Sequence, residues 1–282
     1  MIIDGGNGVR LLGFHSTQRD NNPRGLVLLL HGWEGSVDST YILHIGRYLF
    51  KSGYDIFRLN LRDHGKSHHL NEGLFHGARI EEVLGATEKI ARLSGQKPFY
   101  IIGFSLGGNF ALRIALNNSL DTLKQVFCIS PLLDPCRTTQ AIDEGFSPYR
   151  NYFLKKWKRS LREKERLFPR LYNFEKTYKI RSLIALTDYI VKNHSTFQDC
   201  QDYFSRYTLL GNAFSGLGLP VTIYAAMDDP VIPVSDYYSL NTNNNMHILL
   251  QPYGGHCGFV DTLMSDTWYE RRINAMLNEM RA

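Results

Sequence analysis

Phe99-Tyr100-Ile101-Ile102-Gly103-Phe104-Ser105-Leu106-Gly107-Gly108 is the stretch on which the fold of this chain turns. It reads as an apolar strand, then G-x-S-x-G, then a helix over 106–116 rich in small residues. A serine forced into a tight strand-to-helix turn is strained. Side chains two residues to either side would collide there, so glycines stand at both flanks. The helix that follows points its first backbone donors and the positive end of its dipole at the serine, where a developing negative charge would be stabilised. Ser105 is therefore the candidate nucleophile, and the N–H of Leu106 is one candidate donor to an oxyanion.

Working outward, strand and helix signals alternate. Gly5-Gly6-Asn7-Gly8 reads as a turn beside a strand over 9–14. Residues 26–30, LVLLL, form a continuous apolar run, as in a strand covered on both faces. A helix over 41–50, a strand over 54–60 and a helix over 79–93 follow, then the strand over 98–102 that leads to Ser105. Beyond the 106–116 helix come strands over 125–129, 219–225 and 247–250, and a closing helix over 266–280. Such alternation predicts an α/β fold with a mostly parallel central sheet and helices on both faces. The interval 134–218 is too long for an unstructured connection and has helical character, so it reads as a helical cap inserted before the penultimate strand. The expected organisation is a catalytic domain of 1–133 and 219–282 carrying the 134–218 cap.

Two strand ends supply partners for the serine. Met227-Asp228-Asp229-Pro230-Val231-Ile232-Pro233 puts two acids on a proline-stiffened loop, the kind of rigid support an orienting carboxylate needs. Successive side chains diverge, so one of the two faces a histidine. The D-P-V-I-P run favours Asp229, with Asp228 as the alternative. Tyr253-Gly254-Gly255-His256-Cys257-Gly258 places His256 in a glycine loop after the last strand, where the imidazole has room to reach Ser105. His31-Gly32-Trp33-Glu34-Gly35-Ser36 follows the 26–30 strand, and the Trp33 N–H is the candidate second oxyanion donor.

Composition sets the class. A 282-residue chain with 43% hydrophobic and 21% charged residues can bury a substantial core. The net charge of +5 comes without a basic stripe interleaved with aromatics, which argues against a nucleic-acid partner. The four cysteines form no C-x-x-C pair, no secretory leader is visible at the N-terminus, and no apolar run reaches the ~20 residues of a membrane span. A soluble cytoplasmic protein with reduced thiols is expected.

HGWEGS, NLRDHGKS, GFSLGGN, DDPVIP and GGHCGF, followed by Trp268-Tyr269-Glu270-Arg271-Arg272, resemble the YheT-like branch of the α/β-hydrolase superfamily. The likeness runs from about residue 25 to residue 272 and is weakest in the cap. It departs in the Asp63-His64 loop. The resemblance implies the α/β-hydrolase fold and a triad of Ser105, Asp229 and His256 in the chain order Ser, Asp, His. It also implies serine-hydrolase activity on carboxylic esters, with medium-chain or lipid-like acyl groups as substrates and no cofactor. An acyltransferase using the same triad is the competing reading. A non-catalytic ligand-binding protein of the same fold is opposed by the presence of all three residues.

Three secondary signals accompany these. Arg62-Asp63-His64-Gly65-Lys66-Ser67-His68-His69, with His76 nearby, holds metal-capable side chains, but a pocket-lining turn is the reading preferred and no metal is expected. Residues 150–166 are strongly basic, with Phe153, Leu154, Trp157 and Leu161 at helical spacing. That pattern fits contact with an anionic membrane surface, yet a cap helix packing its apolar stripe on the catalytic domain with its charges solvated is favoured. Further cap aromatics, Tyr172, Phe174, Tyr178, Phe197, Tyr203, Phe204, Tyr207 and Phe214, suit an acyl-chain pocket or a core.

Overall fold

A computed structural model describes residues 1–20, 22–260 and 266–280. The strands are β1 (Ile2–Asp4), β2 (Arg10–Ser16), β3 (Leu26–Leu30), β4 (Asp55–Leu59), β5 (Phe99–Phe104), β6 (Leu123–Ile129), β7 (Val221–Ala226) and β8 (Met246–Gln251). The helices are α1 (Thr40–Lys51), α2 (Ile80–Ala91), α3 (Leu106–Leu116), α4 (Pro135–Glu144), α5 (Ser147–Leu167), α6 (Leu183–His194), α7 (Cys200–Ser205), α8 (Val234–Tyr238) and α9 (Trp268–Glu279). The eight strands form one sheet in the order β1-β2-β4-β3-β5-β6-β7-β8. Pairing is parallel from β4 through β8, while β1 with β2 and β2 with β4 are antiparallel.

The central strands are apolar on both sides because both faces are covered. In β3, Leu26, Leu28 and Leu30 join a core shared with α2, α3 and the helices that follow β6. Val27 and Leu29 join the opposite core with Ile42, Ile45 and Leu49 of α1 and Tyr269, Ile273 and Leu277 of α9. Between β6 and β7 the described residues contribute four helices, α4 to α7, which is the helical insertion the sequence predicted. Parts of the expected 219–282 segment, 261–265 and 281–282, lie outside the described residues.

Two expectations need correcting. The short strand β1 was not foreseen. It is an edge strand of three residues, paired antiparallel to β2 and anchored by Ile3, which is buried in the core beside α2. In α5, Leu154 and Leu161 are buried as the apolar stripe required, but the charges are not all solvated. Lys164 is 1% exposed, because its ammonium bonds Asp63 and three backbone carbonyls.

The strand order fixes where a site can form. From β3 the chain goes to β4 on one side, then returns to β5 on the other. The crevice beyond the carboxyl ends of β3 and β5 is the switch point at which open α/β sheets bind ligands. Ser105 follows β5, and the Trp33 loop follows β3.

Candidate active site

Ser105 sits between β5 and α3 with φ 52° and ψ −116°, in the left-handed region that L-residues seldom adopt. Its N–H donates to Ile129 O at 2.9 Å, and its carbonyl accepts from Asn109 and Leu132, so the strained turn is pinned from both sides. The flanking glycines are sterically required. A Cβ on Gly103 would stand 2.3 Å from Gly107 O, and one on Gly107 would stand 2.4 Å from Leu30 O. Ser105 is also the one partly exposed residue between Phe99 and Ala115, which places a lone hydroxyl at the surface of an otherwise buried segment.

Three distant loops meet at this hydroxyl. His256 Nε2 lies 3.1 Å from Ser105 Oγ, and His256 Nδ1 lies 2.9 Å from Asp229 Oδ2 and 3.2 Å from Oδ1. These partners assign the proton: Nδ1–H donates to the carboxylate, leaving Nε2 to accept from the serine. The Asp229 side chain is 1% exposed, and its Oδ1 also accepts from the N–H groups of Val231 and Ile232, which fixes the carboxylate beyond the reach of its own flexibility. Asp228 points elsewhere. Its Oδ1 accepts from the N–H groups of Gly254 and Gly255 at 2.9 and 2.8 Å, so it braces the loop carrying His256 and does not touch the ring. Burial lowers the His256 pKa, but the adjacent Cys257 sulfur and the Asp229 carboxylate raise it, and the balance lies well above the ordinary imidazole value.

The Trp33 loop is built against the serine. A Cβ on Gly32 would be 3.2 Å from Ser105 Cβ. Among the described residues the Trp33 N–H has no hydrogen-bond partner, and the Leu106 N–H, first in α3, has no intrahelical acceptor. Both are thus available to an oxygen bound beside Ser105. Two residues that sequence reasoning did not assign to the site hold this loop. His31 Nδ1–H donates to Gly32 O at 2.8 Å while Nε2 accepts from the Leu61 N–H at 3.1 Å. His64 Nδ1–H donates to Arg62 O at 2.6 Å while Nε2 accepts from the Glu34 N–H at 3.0 Å. Each ring needs one donor and one acceptor nitrogen, so both are neutral. Burial accordingly lowers the pKa of His31 to about 4 and that of His64 well below the ordinary value. The HGW and RDHG motifs are visible in sequence, but the partners are backbone groups, which leave no residue signature.

The loop is also packed from above. The Trp33 ring stacks on Phe153 at 5.5 Å and meets Trp157 edge-on at 5.1 Å, both from α5. Two cavities flank it. One, of about 220 Å³, is lined by Ser105, His256, Cys257, Trp33, Tyr152 and Lys156 among others. The second, of about 90 Å³, is lined by Trp33, Leu106, Trp157, Ile190, Phe204 and Tyr207 among others. Of the sequence-singled residues near the metal-capable run, His68 bonds Ser160 Oγ at 2.7 Å, Asp63 pairs with Lys164, and Arg62 forms a buried bidentate pair with Glu82. These side chains serve the packing of α5 and α2. The four cysteines are free, and no helix among the described residues is long and apolar enough to cross a membrane.

A family model described as the alpha/beta hydrolase fold matches residues 25–262. The chain is 25% identical over 269 residues to YheT of Escherichia coli (strain K12), which carries the name of an esterase as a provisional assignment. The match covers 91% of this chain and 76% of that one. It is 23% identical over 269 residues to the Homo sapiens phospholipase ABHD3, covering 93% of this chain and 65% of the relative, so it spans less than two thirds of that protein's length. In three dimensions it is similar to the Pyrococcus furiosus esterase Pf2001, with a TM-score of 0.63, 16% identity and coverage of 99% and 91% of the two chains.

Proposed function

The chain belongs to the α/β-hydrolase fold family, and from that premise we propose that it is a serine hydrolase of carboxylic esters acting through Ser105, His256 and Asp229. The observation that carries the proposal is the unbroken chain of contacts from the Asp229 carboxylate through His256 to the partly exposed hydroxyl of Ser105. In the first step Ser105 Oγ forms a bond to the ester carbonyl carbon and its proton passes to His256 Nε2, while Asp229 stabilises the imidazolium. The carbonyl oxygen takes the developing charge and is met by the N–H groups of Trp33 and Leu106. Collapse breaks the bond to the alcohol oxygen, which leaves with the His256 proton. Water then adds to the acyl-enzyme with His256 as base, releasing the acid and restoring the serine.

The 134–218 segment serves in this reading as a cap that supplies the acyl site. Its apolar cavity touches both proposed oxyanion residues, Trp33 and Leu106. At about 90 Å³ and with a mostly apolar lining, this cavity suits an acyl chain of limited length. The kinship with YheT and with a phospholipase supports an ester substrate. Ser105→Ala should lower kcat on p-nitrophenyl acyl esters by about 10⁴–10⁶ and abolish labelling by a fluorophosphonate probe. Wild-type turnover in that variant refutes the assignment. Product analysis with added alcohols or thiols separates hydrolysis from acyl transfer.

A further inference from the structure

A third cavity, of about 770 Å³, opens on the far side of the Trp33 loop between α5 and the loop that follows β4. It shares Gly35, Ser39 and Lys156 with the cavity that holds Ser105 and His256, so the two are adjoining spaces. Its cations come from two separate elements: Lys66 from the loop, and Lys156, Arg159, Arg162 and Arg166 from α5. Arg166 is paired with Glu163 at 2.7 Å, and the Arg162 guanidinium lies 4.6 Å over the Tyr178 ring. Lys66, Lys156 and Arg159 form no salt bridge among the described residues, although the charge of Arg159 is felt by Glu163 one turn further along α5. Lys156 spends one of its three donors on Glu34 O at 3.1 Å and lies 4.7 Å over the Tyr152 ring, contacts that leave its charge without a carboxylate and its other donors available.

The acids that line the same cavity do not cancel these charges. Asp63 is consumed by Lys164, and Glu163 by Arg166. Glu34 is the remaining carboxyl. Burial raises its pKa to about 8 despite the opposing pull of Lys156, so it carries a proton through neutral pH. Three unpaired cations around a polar space are an electrostatic trap for an anion, strengthened by the low-dielectric wall behind them. The volume is far larger than one bare oxyanion needs and leaves room for the hydroxylated body that bears it.

We propose that this cavity is the subsite for an anionic group of the phosphate-ester class on the alcohol side of the substrate, bound by Lys66, Lys156 and Arg159. The proposal rests on the serine-hydrolase reading above. With the carbonyl carbon at Ser105 and the acyl chain against Trp33 and Leu106, the leaving alcohol extends past Gly35 and Ser39 toward Lys156. Charge-assisted hydrogen bonds from lysine and arginine to phosphate oxygens would then hold it.

The test compares kcat/KM for hexanoyl esters of glycerol and of glycerol 3-phosphate, in the wild type, in Lys66→Gln/Arg159→Gln, and in Lys89→Gln as a charge control on α2. The expected result is a preference for the phosphorylated ester that falls roughly tenfold or more in the double variant, weakens with added salt, and is unchanged in the control. Equal rates on both esters in an active wild-type enzyme overturn the subsite while leaving the hydrolase reading intact. Binding is read independently of turnover by calorimetric titration of Ser105→Ala with glycerol 3-phosphate, and absence of heat at low salt overturns the subsite as well. If neither ester turns over and Ser105 takes no probe, the hydrolase reading fails instead. Flotation with phosphatidylglycerol vesicles distinguishes the source of the anion. Vesicle binding lost in the double variant, without preference for the soluble phosphorylated ester, makes this face a membrane contact and refutes the substrate subsite.

Discussion

Lys164→Met isolates the contact that ties the helical insertion to the sheet. Methionine keeps an unbranched apolar stem of similar length, so the packing around it is largely retained and the ammonium alone is lost. Lys164 Nζ donates to Asp63 Oδ1 at 2.7 Å, to Asn71 O at 2.6 Å and to Gly73 O at 3.2 Å, in a site where the lysine side chain is 1% and the aspartate side chain 6% exposed. Without it the Phe75 N–H is the hydrogen bond left to the Asp63 carboxylate among the described residues, with the Arg62 charge further off. Removing one partner of a buried pair costs about 3–5 kcal/mol, because the other charge is left uncompensated. At ~2–4 °C per kcal/mol for a chain of this size, the melting temperature should drop by about 10 °C. The penalty has a pH signature. Burial already raises the Asp63 pKa while Lys164 opposes the rise, so losing Lys164 raises it further. A carboxyl with a raised folded-state pKa stabilises the fold when protonated and loses that contribution as pH increases through the folded pKa. The Lys164→Met deficit should therefore be smaller near pH 5 than at pH 7.5. Asp63→Asn/Lys164→Met should recover part of the loss, since asparagine accepts the Phe75 N–H, tolerates the φ of 55° at this position and carries no charge. Urea denaturation followed by circular dichroism measures the wild type, Asp63→Asn, Lys164→Met and the double variant. A loss below about 1 kcal/mol in the single variant, or strict additivity in the double, refutes the reasoning.

Further outcomes follow from the site. Asp229→Asn should lower kcat by about 10⁴ through loss of the imidazole tautomer, whereas Asp228→Asn, which disturbs only the bracing of the His256 loop, should cost far less; kinetics on one p-nitrophenyl ester decide, and the reverse ranking transfers the orienting role to Asp228. Because His256 must be neutral to accept a proton and its pKa is raised above 6.5, log kcat/KM should climb with pH through an apparent pKa above 6.5. Asp229→Asn should shift that limb to lower pH, and a wild-type limb already complete at pH 6 contradicts a raised His256 pKa. Rates across acyl lengths should peak at medium-length chains and fall for longer ones, because the apolar cavity beside Trp33 and Leu106 is only about 90 Å³. A flat profile through sixteen carbons would mean that the acyl chain lies elsewhere.

Much of this architecture is legible in the chain because the physics is local. The run from Phe99 to Gly108 carries its strand, its steric need for glycine and its helix start within ten residues. LVLLL over 26–30 shows its two-sided burial by composition alone. What escaped notice depends on partners far away. Ile2 and Ile3 form a strand only because β2 offers an edge, and three residues give no usable period. Lys164 looks like one more solvated charge on a basic helix, since the carboxylate that buries it stands 101 residues earlier. Asp228 and Asp229 are equivalent as a pair of letters, and only the direction each takes at the end of β7 separates loop brace from histidine partner. His31 and His64 were visible as motif residues, but their rings bond main-chain groups, and any sequence can present an N–H.

The placement of α5 shows why the insertion and the oxyanion loop should be regarded as one packed unit. Successive turns of a single helix meet the loop after β3 and the loop after β4. Phe153 and Trp157 cover the Trp33 ring, Lys156 holds Glu34 O, and Ser160 and Lys164 engage His68 and Asp63. The two loops are joined below by the His64 bond to the Glu34 N–H. A displacement of α5 therefore cannot reshape the apolar cavity beside Trp33 without also moving the segment that carries the Trp33 N–H, and a site whose donors must stand within about half an ångström of their target is sensitive to such a shift. Exchange of the insertion for another should alter rate together with chain-length preference, because the wall of the pocket and the support of the oxyanion loop are faces of the same helix.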